Sequence, residues 1–154
     1  MLERLSRAQI TAMIPHAGAM CLLDGVVEWN AAKIRCCSSS HRDPANPLRS
    51  GGFLPAVCGI EYAAQAMAVH GGLAGNTGNR PKAGYLASVR DVVCMRARLD
   101  DLAGDLIVDA EQLMGDETRV IYRFTLKVGA VEVLSGRATV VLDAATMAGQ
   151  DAAA

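Results

Sequence analysis

Apolar and polar side chains alternate most clearly in the C-terminal third of the chain. Over residues 118–128, Val120, Tyr122, Phe124, Leu126 and Val128 take one side, and Arg119, Arg123 and Lys127 take the other. A period of two over this length predicts a strand with one face buried. Residues 131–142 alternate again, with Leu134, Ala138, Val140 and Leu142 inward, and Gly129-Ala130 is the expected hairpin turn between the two. Upstream, residues 84–98 read as one long strand, straight or bent, and 105–114 as the next. Residues 21–30 and 32–40 read as two more, joined near Asn30.

The segments between these strands differ in kind. Residues 41–53 (HRDPANPLRSGGF) are rich in Pro, Gly, Asn and Ser and predict a loop, as do residues 73–83. Residues 1–13 read as a short amphipathic helix with Leu2, Leu5, Ile10 and Met13 on its apolar side. A long helix is expected over about 55–70, with Pro55 in its first turn and Gly71-Gly72 as its stop. The sum is a single α+β domain over 1–143, in which an antiparallel sheet of five to six strands accompanies one central helix. The Ala-rich residues 144–154 are expected to be a disordered tail.

Composition narrows the class. The 154 residues are 51% hydrophobic and 20% charged, which suits a globular domain with its own core. The formal net charge of -1 gives no global attraction to nucleic acid. No run of about 18 apolar residues predicts a membrane span, and the charged start MLERLSRAQI does not read as a signal peptide. The five cysteines (Cys21, Cys36, Cys37, Cys58 and Cys94) are odd in number and fit no metal spacing, so reduced thiols in a cytoplasmic protein are expected. Cys36 and Cys37 should point to opposite faces of their strand.

The chemistry points to one helix. The segment LPAVCGIEYAAQAMAVHGG is apolar or small nearly all round, which predicts burial, yet it carries Glu61. A buried carboxylate is costly unless it is paired or protonated. Gln65 lies one turn on, on the same face, and Ala68 and Gly72 continue that line with side chains small enough to admit a ligand. The alternative is a structural Glu61 at the helix edge, meeting solvent or an arginine.

Around this helix the sequence resembles the bacterial 3-hydroxyacyl-ACP dehydratases. The resemblance rests on Leu54-Pro55-Ala56-Val57, Ile60-Glu61 and Ala64-Gln65-Ala66 in the helix. It extends to Ile14-Pro15-His16 with Met20, Leu22, Leu23 and Asp24 before it, and to Gly84-Tyr85-Leu86-Ala87 through Val92 after it. Gly104-Asp105-Leu106-Ile107, Tyr122-Arg123-Phe124 and Gly136-Arg137-Ala138 complete a co-linear set over residues 14–142. The resemblance implies a hotdog fold, usually dimeric, with active sites at the interface. It implies a substrate on the phosphopantetheine of acyl carrier protein, and no metal or redox cofactor. It makes Glu61 the catalytic acid. The family's histidine precedes the helix in a Gly-His-Phe-Pro turn; here that region is shortened and Gly52 stands in its place. In this the chain looks closest to a subgroup associated with aryl-polyene pigment and related lipid clusters.

Dehydration needs a base for the α-proton and an acid for the departing hydroxyl, tasks that suit a Glu with a His. Of the three histidines, His70 lies nine residues past Glu61, roughly 180° round the helix, and should face the sheet or cap the helix end. His16, in a Pro-containing loop, and His41, at the end of the second strand, remain as candidates. Gln65, Phe53, Ala56 and Val57 are the expected substrate contacts, the last two through backbone N–H groups at the helix start. The expected function is a 3-hydroxyacyl-ACP dehydratase yielding a trans-2-enoyl thioester in fatty-acid or polyketide-like lipid synthesis. Its partners are acyl carrier protein and a second hotdog subunit, either identical or different. The alternatives are a non-catalytic partner in a dehydratase heterodimer and an acyl thioesterase. Arg90, Arg96 and Arg98 share even positions, so in a regular strand they would share one face as a basic carrier-protein site.

Overall fold

The computed structural model describes residues 4–14, 18–74 and 84–142. Among them are seven strands and two α-helices. They run β1 (Leu5–Ser6), α1 (Arg7–Thr11), β2 (Gly25–Trp29), β3 (Lys33–Ser38), α2 (Gly59–Ala74), β4 (Gly84–Cys94), β5 (Leu106–Gly115), β6 (Arg119–Val128) and β7 (Val131–Leu142). All seven strands join one antiparallel sheet in the order β1-β2-β3-β5-β6-β7-β4. The long helix lies across its inner face, in contact with β3, β5 and β6. This is the expected α+β hotdog arrangement, with one more short strand than the alternation announced.

The strands follow their sequences closely. On β6, Val120, Tyr122, Phe124 and Leu126 are buried and Arg119 and Arg123 are exposed. Gly129, at φ +60°, makes the turn into β7. Cys36 is fully buried while its neighbour Cys37 is only half-buried, as opposite faces require, and all five cysteines carry free thiols. Asn30 closes the β2–β3 turn by accepting from the N–H groups of Ala32 and Lys33, both at 2.9 Å.

Three elements depart from expectation. The N-terminal helix is five residues, not thirteen. Leu5 pairs in the sheet with Val26, and Ser6 caps α1 through a box with Gln9, so the helix cannot start earlier. At the other end of the molecule, α2 passes through Gly71 and Gly72 to Ala74. Gly72 is buried within the helix, and a Cβ on it would come within 2.8 Å of Met13 Cε, so the pair does not terminate the helix. The strand expected over 84–98 ends at Cys94 and carries two bulges, one between Arg90 and Val93 where Asp91 takes φ +56°. The simple even-position face for Arg90, Arg96 and Arg98 therefore does not form. The expected tail and most of the loop over 73–83 lie outside the described residues.

Helix α2 approaches the sheet closely at Gly59. A Cβ there would meet Leu134 Cδ2 at 2.6 Å and Leu126 Cδ2 at 2.9 Å, and both leucines are fully buried. Gly59→Ala is expected to destabilise the fold by about 1–3 kcal/mol through overpacking, read as a lower urea midpoint. An unchanged midpoint would show that the two leucines can move aside.

Candidate active site

A 3₁₀ turn, Ala56–Cys58, leads into α2, so that Glu61 falls in the first turn of the α-helix. Its side chain is half-buried. Gln65, one turn on, is fully buried and brings its amide to 3.5 Å from Glu61 Oε1. The remaining capacity of that amide is engaged by backbone: Nε2 donates to Met20 O at 2.7 Å, and Oε1 accepts from Leu22 N–H at 2.9 Å. Gln65, expected as a substrate contact, thus ties residues 20–22 to the helix and borders Glu61.

The same segment is held from its other side. Ser38 and Ser40 hydroxyls reach Leu22 O at 2.5 and 2.8 Å. Ser40 Oγ lies 2.8 Å from Tyr62 OH, which also accepts from Asn46 Nδ2 at 3.0 Å. Because the single Ser40 hydroxyl proton goes to Leu22 O, the Tyr62 hydroxyl donates to Ser40 Oγ while accepting from Asn46. Burial pushes the Tyr62 phenol up, so it stays protonated in this role. This polar cluster was not anticipated: Ser38, Ser40 and Asn46 read as strand-end and loop residues. The only cue was Tyr62, a polar tip on a helix with nowhere wet to go.

The open side of α2 is different. Val57, Ala68 and Gly71 are exposed and Ile60 and Ala64 half-buried, which makes a continuous line of small or apolar side chains beside Glu61. The expected line Glu61, Gln65, Ala68, Gly72 therefore divides: Ala68 faces out, while Gln65 and Gly72 face the core. The start of the helix is fixed by a short antiparallel contact. Ala56 N–H donates to Ala97 O at 3.0 Å, Leu99 N–H to Leu54 O at 2.8 Å, and Leu54 N–H to Asp100 Oδ1 at 2.8 Å. The Ala56 N–H is therefore not available to a carbonyl, and Val57 is the first amide of the turn that could be. Phe53 is exposed, with the Arg98 guanidinium 4.1 Å above its ring. Arg98 also pairs with Asp100, holding that carboxyl well below the usual range.

Two histidines can be placed. His70 is fully buried against the sheet, with Nε2 donating to Asn30 O at 2.9 Å and Nδ1 accepting from Tyr122 OH at 2.7 Å. His41 is also fully buried, in a 3₁₀ turn, with Nε2 3.1 Å from Leu102 O. The structure shows no hydrogen bond between His41 and Glu61. His16 lies outside the described residues; among its chain neighbours Ile14 is buried and Met20 is bound to Gln65. Gly51 and Gly52, at φ +60° and +83°, form the two-residue turn between Ser50 and Phe53, a conformation that glycine adopts without strain. A groove of about 440 Å³ opens elsewhere, over Trp29, Lys33, Arg35, Glu111 and Arg123, and includes none of the candidate residues.

Comparison with known proteins fits this geometry. The ApeP-like family, described as ApeP dehydratase, matches residues 8–149. The chain belongs to the ApeP-like dehydratase family. Its fold is similar to the dehydratase heterocomplex ApeI:P from Xenorhabdus doucetiae, at TM-score 0.77 and 23% identity over 86% of this chain and 90% of that one. It is also similar to a variant thioesterase from Pseudomonas aeruginosa, at TM-score 0.63 and 13% identity over 89% and 93%. A thioesterase from Haemophilus influenzae gives TM-score 0.65 and 11% identity over 89% and 90%. Among curated proteins none matches the sequence. The thioesterases share the fold; the family match carries the dehydratase assignment.

Burial pushes both His41 and His70 below the ordinary value of 6.5. Each is neutral when folded and takes up its proton more readily when unfolded, so stability should fall as pH drops below 6.5. His70→Asn is expected to be less stable at neutral pH but to lose less between about pH 7.5 and 5.5. Parallel stability–pH curves for the two proteins would rule out this coupling. Removing the other buried anchor is a separate test: Gln65→Leu strands Leu22 N–H and Met20 O, and is expected to cost about 2–5 kcal/mol in chemical denaturation.

Proposed function

We propose that this chain removes water from a 3-hydroxyacyl thioester carried on the phosphopantetheine arm of acyl carrier protein, giving the trans-2-enoyl thioester. The observation that carries the reading is Glu61: a carboxylate in the first turn of the central helix, held beside a fully engaged amide, on the side of the helix that the chain leaves open. In elimination the α-proton leaves to a base and the hydroxyl leaves as water once protonated. Glu61 takes one of these tasks. We assign the other to His16. His41 and His70 are buried on backbone and tyrosine partners, whereas His16 belongs to the stretch between Ile14 and Met20, and Met20 is bound to the amide that borders Glu61. His41 would have to leave Leu102 to act. The Val57 N–H, near the positive end of the helix, suits polarisation of the thioester carbonyl, and Phe53 with Arg98 stands at the approach to that turn.

A second hotdog subunit completes the assembly. Among the described residues strand β4 pairs only with β7, and its eleven residues are exposed almost throughout, Tyr85, Leu86 and Val93 among them. An open edge of this length calls for a strand to pair with it, and the open line of α2 calls for a covering surface. The partner is a second copy or a different hotdog chain. Among the described residues no helix is long and apolar enough to cross a membrane; free thiols fit the cytoplasm, where we place the protein. One observation favours a non-catalytic subunit instead: Gly52 occupies the place of the dehydratase histidine in a turn suited to glycine.

Hydration of a crotonyl thioester, with and without a partner subunit, decides between these readings. Glu61→Gln keeps the shape but cannot transfer a proton, so turnover should be abolished while folding is nearly unchanged. Wild-type rates in that variant would remove Glu61 from the chemistry. His16→Ala should lose about 10²- to 10⁴-fold and His41→Ala should act chiefly through stability. Equal small losses in both would favour the non-catalytic subunit.

A further inference from the structure

The sheet register sets three arginines directly opposite one another on the outer face. Arg90 on β4 faces Arg137 on β7, and Arg137 faces Arg123 on β6. The row continues to Glu111 on β5 and Lys33 on β3. Their outward direction follows from their neighbours, since Tyr122, Phe124, Gly136 and Ala138 point into the core. All three arginines are exposed. Glu111 lies 3.6 Å from both Arg123 and Lys33. Arg137 and Arg90 have no carboxylate within ion-pair distance among the described residues. Elsewhere on this face the charges are matched: Asp109 is shared by Arg35 at 2.7 Å and Lys127 at 3.7 Å.

Like charges directly opposite in a sheet destabilise it. The chain as a whole has a net charge of -1, so the row is a local concentration and not a bulk excess. Neighbouring strands lie about 4.8 Å apart, which sets the three arginine positions on a line about 10 Å long. An acidic helix laid across the strands, with one carboxylate per turn of about 5.4 Å, matches that line. A flat anionic membrane would meet the whole face, including Asp109 and Glu111, and would gain little from charges confined to one row. The row also leads to the site. Beyond Cys94 the chain of β4 continues to Ala97 and Leu99, which pair with Ala56 and Leu54 at the helix start.

We propose that Arg90, Arg137 and Arg123 form the docking surface for the acyl carrier protein, through an acidic helix of that protein lying across β4, β7 and β6. This rests on the dehydratase reading for the identity of the partner, but it is tested by binding alone. Fluorescence anisotropy of labelled holo acyl carrier protein, titrated with the full chain and its partner subunit, gives the dissociation constant. The doubly reversed variant Arg90→Glu/Arg137→Glu is expected to bind roughly tenfold more weakly or worse, and added salt should weaken the wild type far more than the variant. The neutral variant Arg90→Gln/Arg137→Gln should bind at an intermediate strength and melt at or above the wild-type temperature, because it relieves repulsion within the sheet. Equal affinities for wild type and both variants overturn the docking surface, as does a loss confined to phosphatidylglycerol vesicles with carrier binding intact. A chain that binds the carrier through this row but does not turn over a crotonyl thioester keeps the docking surface and loses the dehydratase reading; turnover with affinities indifferent to the row does the reverse.

Discussion

The site depends on how the backbone of Leu22 is held. Its N–H is bound by a side chain from the central helix and its carbonyl by two hydroxyls at the end of β3. Neither group takes part in a sheet ladder, and Leu22 is fully buried, so each must find a side-chain partner or remain unsatisfied. Gln65 and the Ser38–Ser40 pair meet that need. In doing so they fix the segment before β2 to the turn of helix that carries Glu61. Tyr62 and Asn46 extend the same network into the loop before the helix. The geometry of the candidate site is a by-product of backbone satisfaction: the groups that seat Leu22 also border the Glu61 carboxylate.

Much of the sheet was legible in the sequence because burial on one face writes itself as a period of two. β6 and β7 fall within a residue of their alternation. β4 does not, because it is an edge with little to bury, and bulges shift its parity without leaving a mark in the pattern. The ends of the helices were misread for a related reason. A pair of glycines ordinarily stops a helix, but here Gly72 is buried inside the helix beside Met13, a tertiary setting invisible to local rules. Glu61 stood out as an acid on an apolar helix, and its relation to Gln65 followed from helical spacing. The roles of Ser38, Ser40 and Asn46 did not, since hydroxyls and amides at strand ends and in loops usually face water. His41 stood as a candidate at the end of the second strand; its burial and its bond to Leu102, 61 residues away, could not be read from local sequence.

The coat of the central helix is uneven. One side is packed against β3, β5 and β6 with tyrosine, histidine and glutamine all given partners. The other side is smooth, with Val57, Ala64 and Ala68 presenting little beyond methyl groups. Among the described residues nothing packs over that side as the sheet packs over the other.

The unpaired length of β4 also bears on how the protein comes to exist in a cell. Eleven residues of open backbone, with Tyr85 and Val93 beside them, form a template that any stray strand can extend. Until that edge is covered, a newly made chain is exposed to self-templated precipitation. Covering that edge soon after synthesis, whether by a second copy or by a different strand, then bears on how much of the chain is recovered intact.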